Sequence, residues 1–428
     1  MSLGNEVSAM KLGLENIRRL LTELEDPQRN YLKVQVAGTN GKGSVCAFLN
    51  SICVTAGIRT GMFTSPHLVS MTERVKIDGV DISEEHFAAF ATRVREASET
   101  LFASGEIESI PTYFEQVTAI ALLAFADANV ELAILETGLG GRLDATTAAN
   151  AEIAAITRID LDHQQYLGET MEEIAAEKAA IIHKGSRVCI GQQYPDAIDI
   201  VLRRCSEFGI QPRLVEEGAW EKSSPGFDFS VNGFYGGEVI LQLEGEHQAE
   251  NAALAILIAQ ELNAFFNVST GNIIDGLEKA RHPGRLEWFE VRDVRVLLDG
   301  AHNRGGAEAL AKYLGGWWAT GSIALVFAAM NDKDYESILE VLDPVVADFI
   351  FTEPKNTRSQ SSTEMADSMR GVLGENRVFA VKNVSDALDA AIELASTYPA
   401  TKPALVLVTG SLYLVGEVRR ILTTEAPE

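Results

Sequence analysis

The sequence is short of cysteine, of positive charge and of long apolar runs. Its four cysteines, Cys46, Cys53, Cys189 and Cys205, are scattered through 428 residues and form no CxxC pair. That excludes a disulfide-stapled secreted domain and suits a reducing compartment. Lys and Arg number 36 against 61 Asp and Glu, a formal net charge of −25. A field of that sign repels nucleic acid and anionic membranes, so neither is expected as a partner. Any anionic substrate has to be captured by a few well-placed cations. No apolar run approaches the ~20 residues needed to cross a bilayer, and the N-terminus lacks the basic-then-apolar pattern of a secretory leader. These absences together predict a cytoplasmic protein. Internal repeats and low-complexity segments are lacking too.

What is present alternates between two periods. Leu14, Ile17, Leu21 and Leu24 recur at helical spacing until Asp26-Pro27 stops them. From Lys33 the pattern becomes strand, glycine-rich turn, helix and strand. Val34 and Val36 lead into residues 38–44, a helix is expected from Val45 to Ala56 with Gly57 closing it, and a second strand runs from Thr60 to Thr64. Further strands are predicted at Leu132–Leu135 and Ile153–Ile156. An antiparallel hairpin edge is predicted over 226–243, with Val239, Leu241 and Leu243 on its return, then a helix from Gln248 to Leu262. A fresh strand–helix alternation begins near His282-Pro283-Gly284, with strands at Val294–Leu298, Ile323–Ala328, Phe349–Thr352, Val378–Val381 and Ala404–Val408. The expected class is α/β: a P-loop-type ATPase domain with a mostly parallel sheet over 1–282, and a smaller Rossmann-like domain over 283–428.

The residues suited to chemistry gather at the ends of those strands. Gly38-Thr39-Asn40-Gly41-Lys42-Gly43-Ser44 lies between a strand and a helix, where backbone N–H groups make a nest for phosphates. The strict P-loop spacing fails, because Val36 stands where glycine is required and Gly43 where Ser or Thr should follow the lysine. Ser65, Glu136 and His163 each follow a strand and so share a rim with that loop. Oxygen donors and one imidazole there suit Mg²⁺ or Mn²⁺ completed by phosphates. Singly, each is better explained as a structural residue, and Ser65 as a turn cap; their shared rim raises the functional reading above that. Thr170 and Glu173 form a capping box that opens a helix, and Lys178 falls on its apolar stripe with Met171, Ile174, Ala175, Ile181 and Ile182. Spacing alone favours a snorkelling lysine there, over one converted to an anion by CO₂. His247 and Asn251 share a helical face suited to a nucleobase. Arg285 stands at the predicted domain junction, Asp299 ends a strand and His302 lies in the turn after it; a charged junction residue can serve as a hinge salt bridge, yet a cleft between two α/β domains is where a closing ATP site is expected.

In order along the chain come AGTNGKGS, TSPHL with TERVKI, TYFEQ, ETGLGGRLDAT, LDH, EKAAII, EHQAENAALA, PGRLE and DGAHN. One of these would be weak evidence; nine in order are specific. Across its whole length the sequence resembles the dihydrofolate synthase/folylpolyglutamate synthase family of the Mur ligase superfamily. The resemblance implies that Asn40, Gly41, Lys42, Gly43 and Ser44, with Asn251, Arg285 and Asp299, bind ATP. It implies that Ser65, Glu136 and His163 hold the metals, that Lys178 is carbamylated and serves them, and that His302 faces the phosphates. Thr112-Tyr113-Phe114-Glu115 and Leu143-Asp144-Ala145 match loops that hold the pteroate. Three positions depart from the pattern: Thr147 where Asn is usual, His282 where an aromatic is common, and Arg304 where Pro is usual.

The resemblance further implies an ATP-dependent acid–amino-acid ligase that joins L-glutamate to dihydropteroate, to tetrahydrofolate glutamates, or to both, through an acyl phosphate. Two Mg²⁺ ions are implied, with Mn²⁺ able to substitute and K⁺ as a further cation, and the chain is expected to act as a monomer. Tail extension alone is the nearest alternative. A cell-wall amino-acid ligase of the same superfamily usually carries Thr directly after the loop lysine and lacks TSPHL and TYFE. A plain P-loop phosphotransferase has no need of His163 and Lys178, and a decayed nucleotide-binding scaffold would not keep the full polar set.

Overall fold

A computed structural model describes residues 13–317, 323–399 and 404–425, and among these described residues there are seventeen strands. The first twelve residues, on which the reading of the N-terminus partly rests, lie outside that set. The described residues divide into two units. One runs to Gln242 and resumes over His247–His282; the other takes Leu243–Glu246 and everything from Pro283 onward. No helix among the described residues is long and apolar enough to cross a membrane.

The first unit is built on an eight-stranded sheet. Its strands are β1 (Leu32–Ala37), β2 (Thr60–Phe63), β3 (Val75–Ile77), β4 (Val80–Asp81), β5 (Leu132–Glu136), β6 (Ile153–Ile156), β7 (Arg187–Ile190) and β8 (Arg213–Leu214). They lie in the order β4-β3-β2-β5-β1-β6-β7-β8, parallel from β2 to β8. Only β3 and β4 run antiparallel. These two are three and two residues long, too short for alternation to announce them. Strands β1, β5 and β6 are almost wholly buried, as expected where helices cover both faces. The register sets Phe63 beside Leu135, Val36 beside Glu136 and Ala37 beside Ile156, so four strands end abreast. Gly57 closes the first long helix as expected: with φ +77° it lets the amide of Ile58 reach back to the Cys53 carbonyl.

The hairpin differs from expectation. Strands β9 (Trp220–Lys222), β10 (Phe227–Val231) and β11 (Phe234–Val239) make a separate three-stranded sheet rather than an edge of the main one. Asn232 and Gly233, both at positive φ, form the two-residue turn. The return strand therefore begins at Phe234 and ends before Leu241 and Leu243, which are buried beyond it.

The second unit holds a six-stranded sheet in the order β12-β13-β17-β14-β15-β16. These are β12 (Glu287–Val291), β13 (Val294–Leu298), β14 (Ile323–Phe327), β15 (Asp348–Phe351), β16 (Val378–Ala380) and β17 (Leu405–Thr409). Strand β12, not anticipated, pairs antiparallel with β13, and the other five run parallel. Leu297, Leu325, Phe327, Phe349 and Leu407 fill the core between this sheet and its helices. The fold is the α/β class read from the sequence, with a smaller Rossmann-like unit following a mostly parallel one.

Candidate active site

Strand β1 delivers the chain into residues 38–41, and the helix Lys42–Thr55 starts at once, three residues earlier than predicted. The first amides of an α-helix have no intrahelical acceptor, so Lys42, Gly43 and Ser44 present theirs at the loop. The rest of the loop is sewn to the segment after β6. The amides of Thr39 and Asn40 donate to the Arg158 carbonyl at 2.9 and 3.2 Å. Thr39 Oγ1 donates to the Asp160 carbonyl and accepts from its amide, and Asn40 Nδ2 donates to the Asp160 carboxylate at 2.7 Å. Thr157 Oγ1 donates to the Asn40 carbonyl. Gly41, at φ +86°, leaves room for Asn251: a Cβ there would lie 2.1 Å from Asn251 Oδ1.

Two lysines meet on one carbonyl. Lys42 Nζ donates to the Gly38 and Thr39 carbonyls at 3.0 and 3.1 Å. Lys178 Nζ donates to the same Gly38 carbonyl at 2.9 Å, and Lys178 is only 4% exposed. A snorkelling lysine keeps its ammonium in water; this one carries it into the loop. The capping box of Thr170 and Glu173 is formed, though the helix Met171–Ala179 ends before Ile181 and Ile182.

Glu136 ends β5, is buried, and accepts the amide of Ser65 at 3.0 Å. Its Oε1 faces Gly43. His163 sits at positive φ at the head of the short helix Gln164–Leu167, three residues after the Asp160 that holds Asn40. Ser65 and Glu136 are thus in contact, and His163 belongs to the segment sewn to the loop. Among the described residues no group of three or more His, Cys, Asp or Glu stands ready to hold a metal by itself.

Several residues of the pteroate motifs have internal duties. Thr112 and Glu115 cap the helix Tyr113–Asp127 reciprocally, Thr112 N donating to Glu115 Oε2 at 2.7 Å. The Asp144 carboxylate accepts the amides of Gly138, Leu139 and Thr146 and the Thr146 hydroxyl. Burial still pushes its pKa up against those bonds. Ala145 is buried beside it, while Leu143 is half-exposed. Tyr113 and Phe114 make ring contacts with their neighbours. The Arg74 guanidinium lies 5.6 Å from the Tyr113 ring, and Phe114 packs on Phe63 and occupies the space a Gly138 side chain would need. A cavity of about 450 Å³ opens beside Glu115, lined also by Glu15, Asn16, Arg19, Ile107 and Glu108. Sequence reasoning passed over Glu15, Asn16 and Arg19, because polar residues on an amphipathic helix look like an ordinary wet face. The departure at Thr147 is structural: its hydroxyl accepts from Gln35 and donates to the Gly141 carbonyl. Arg304 pairs with Glu308 on an exposed helix surface.

In the second unit, Asp299 follows β13 and is 6% exposed. Its two oxygens accept the amides of Leu286 and Ala301 at 3.1 and 2.9 Å. Burial raises its pKa, and the charge of Arg285 opposes the rise. The Arg285 guanidinium lies against Gly300, where a Cβ would fall 1.6 Å from Arg285 Nη1. His302 Nδ1 lies 2.8 Å from the Gly300 carbonyl; a carbonyl only accepts, which assigns the proton to Nδ1.

Buried Arg74 donates through Nε to His67 Nδ1 at 2.9 Å. Burial and then the Arg74 charge lower the His67 pKa from 6.5 to about 4. The unfolded chain therefore binds the extra proton across that window. This contribution to stability is complete above about pH 6.5 and is lost as pH falls toward 4. His67→Gln is expected to flatten that segment of the stability curve. Urea midpoints from pH 7 to 4.5 that run parallel for both proteins would refute this.

Comparison with known proteins fits this geometry. Residues 36–259 match the Mur ligase middle domain, and residues 284–412 match the Mur ligase glutamate ligase domain. The chain is 33% identical over 422 residues to the dihydrofolate synthase/folylpolyglutamate synthase of Bacillus subtilis, covering 96% of this chain and 95% of that one. The Mycobacterium tuberculosis folylpolyglutamate synthase complexed with ADP and AMPPCP superposes with a TM-score of 0.90 at 32% identity, covering 97% and 96% of the two chains. The bifunctional enzyme of Yersinia pestis, complexed with AMPPNP and a Mn ion, does so with a TM-score of 0.82 at 29% identity over 98% and 95%. This chain belongs to the Mur ligases, in the dihydrofolate synthase/folylpolyglutamate synthase family.

Proposed function

We propose that this enzyme joins L-glutamate, at the expense of ATP, both to dihydropteroate and to the γ-carboxylate of tetrahydrofolate glutamates. The observation that carries the reading is the convergence of Lys42 and buried Lys178 on the Gly38 carbonyl, on the rim where Glu136 meets Ser65. The loop amides and Lys42 hold the ATP phosphates, with Asn251, Arg285 and Asp299 as further ATP-binding residues. The acceptor carboxylate attacks the γ-phosphorus and releases ADP, leaving an acyl phosphate. The glutamate amine then attacks the acyl carbon and expels phosphate, giving the amide after loss of a proton. Lys42 offsets the repulsion between carboxylate and phosphate in the first step. His302, with its proton fixed on Nδ1, is assigned to the phosphates.

The donor set fits a hard divalent cation. Ser65, the buried Glu136 carboxylate and His163 would hold it, with phosphate oxygens completing a shell that the protein alone does not close. Bound there, Mg²⁺ would supply charge neutralisation of the phosphates. Lys178, as a carbamate, would add an anionic donor. K⁺ is a further cation for titration. The acceptor's pterin is assigned to the cavity beside Glu115, where carboxylates and Asn16 suit the donor-rich edge of a pterin; Tyr113, Phe114 and Leu143 are assigned to the acceptor by their motifs and do not line that cavity. We place the enzyme in the cytoplasm as a monomer.

ADP release with Mg-ATP and L-glutamate tests the reading, with dihydropteroate and tetrahydrofolate compared as acceptors. Turnover with both is expected. Turnover with tetrahydrofolate alone would reduce the function to tail extension, and silence with both, from protein that binds ATP, would overturn the folate reading.

A further inference from the structure

His282 departs from the family pattern, and Gly43 departs from the strict phosphate-loop pattern by standing where a hydroxyl residue would follow the lysine. The structure joins the two departures. A Cβ on Gly43 would lie 2.6 Å from His282 Nε2 and 3.6 Å from Glu136 Oε1. Gly43 has an ordinary helical backbone, so a side chain there would meet the imidazole and no conformational strain. The imidazole occupies the place of the missing side chain.

Its position is built, not incidental. The helix Thr270–Lys279 runs back along the helix Lys42–Thr55. Asn272 Nδ2 donates to the Thr55 carbonyl at 3.2 Å. One turn on, Gly276 lies so close to Ile52 that a Cβ would fall 2.4 Å from Ile52 Cα. Continuing the same way, the chain brings His282 over Gly43 at the mouth of the phosphate loop. Half-buried there, the imidazole and the Glu136 carboxylate face one spot.

We infer that His282 is a further phosphate-binding residue, its Nε2–H donating to the ATP triphosphate from the space beside Gly43 that a side chain there would take. This rests on the ATP reading above and deepens it. In a chain of net charge −25, with a carboxylate beside the loop, an extra donor at this point offsets repulsion of the incoming anion.

The test is calorimetric binding of Mg-AMPPNP and of AMP to wild type, His282→Phe and His282→Gln. The phenylalanine variant fills the space without a donor; it is expected to bind AMPPNP about tenfold more weakly, the scale of one hydrogen bond to a charged group. AMP binding should stay within about twofold, and glutamine, which restores a donor, should recover most of the AMPPNP loss. Gly43→Ser combined with His282→Ala should bind AMPPNP more tightly than His282→Ala alone, since the hydroxyl then has room. AMPPNP affinity unchanged in His282→Phe, or AMP and AMPPNP weakened equally, would overturn the inference. Wild-type protein that binds neither nucleotide would instead sink the ATP reading, and this inference with it.

Discussion

Lys178→Ala is expected to lower turnover by about a thousandfold while the fold survives, the scale of losing an electrostatic group from an active site. The lysine stands four residues after Ile174 in a capped helix, with Ile174 and Ala175 fully buried beside it. An ammonium taken this far from water is costly unless it is hydrogen-bonded, and its bond to the Gly38 carbonyl meets that need. Two roles remain compatible with that position. In one, Lys178 only braces Gly38; in the other, its amine adds to CO₂, loses a proton and becomes an anionic donor at the metal rim. Lys178→Arg separates them, because arginine keeps the positive charge and the N–H donors but forms no stable carbamate. The carbamate role predicts that the arginine variant is as inactive as alanine, and that formate or acetate partly restores the alanine variant. Arginine activity within tenfold of wild type would leave bracing as the role. Thermal melts of all three proteins guard against mistaking unfolding for chemistry.

Lys178 also shows where sequence stops informing. Helical spacing says which face a residue takes and nothing about depth, so a lysine on an apolar stripe reads as a snorkel until its head group is located. The strand–turn–helix around residues 38–44 was legible because strand, glycine turn and helix each leave a local signature, and parallel strands put Ser65 and Glu136 on one rim without further information. Roles inside motifs were not legible. Thr112, Glu115 and Asp144 belong to substrate-loop motifs by resemblance, yet their polar atoms are engaged in capping and in holding backbone amides. Glu15, Asn16 and Arg19 were invisible for the opposite reason: the cavity they line is made partly by residues 106–115, far along the chain. Strands of two or three residues such as β3 and β4 carry too few alternations to be seen, and the hairpin return was misplaced because Asn232-Gly233 sets the register, not the later leucines.

Gly38→Ala should abolish measurable Mg-AMPPNP binding, a loss of at least about a hundredfold, and cost about 2–4 kcal/mol of stability in the first unit. Gly38 has φ +150°, and an added Cβ would lie 1.8 Å from Thr157 Oγ1 and 3.1 Å from the Thr157 carbonyl carbon. The hydroxyl could be removed by Thr157→Ala, but the backbone contact would persist, so that second change should recover only part of the loss. Thr157 itself holds the Asn40 carbonyl, and the Gly38 carbonyl receives both Lys42 and Lys178. Displacing Gly38 therefore moves the loop and both lysines together. Gly57→Ala is the control: its φ is +77°, also left-handed, and nothing lies within 4 Å of the added carbon. That variant should lose about 1 kcal/mol and bind AMPPNP normally. If the two variants behave alike, backbone strain is the whole effect and the loop tolerates movement. If only Gly38→Ala loses nucleotide, the close approach of Gly38 to Thr157 is what holds the two lysines at the phosphates.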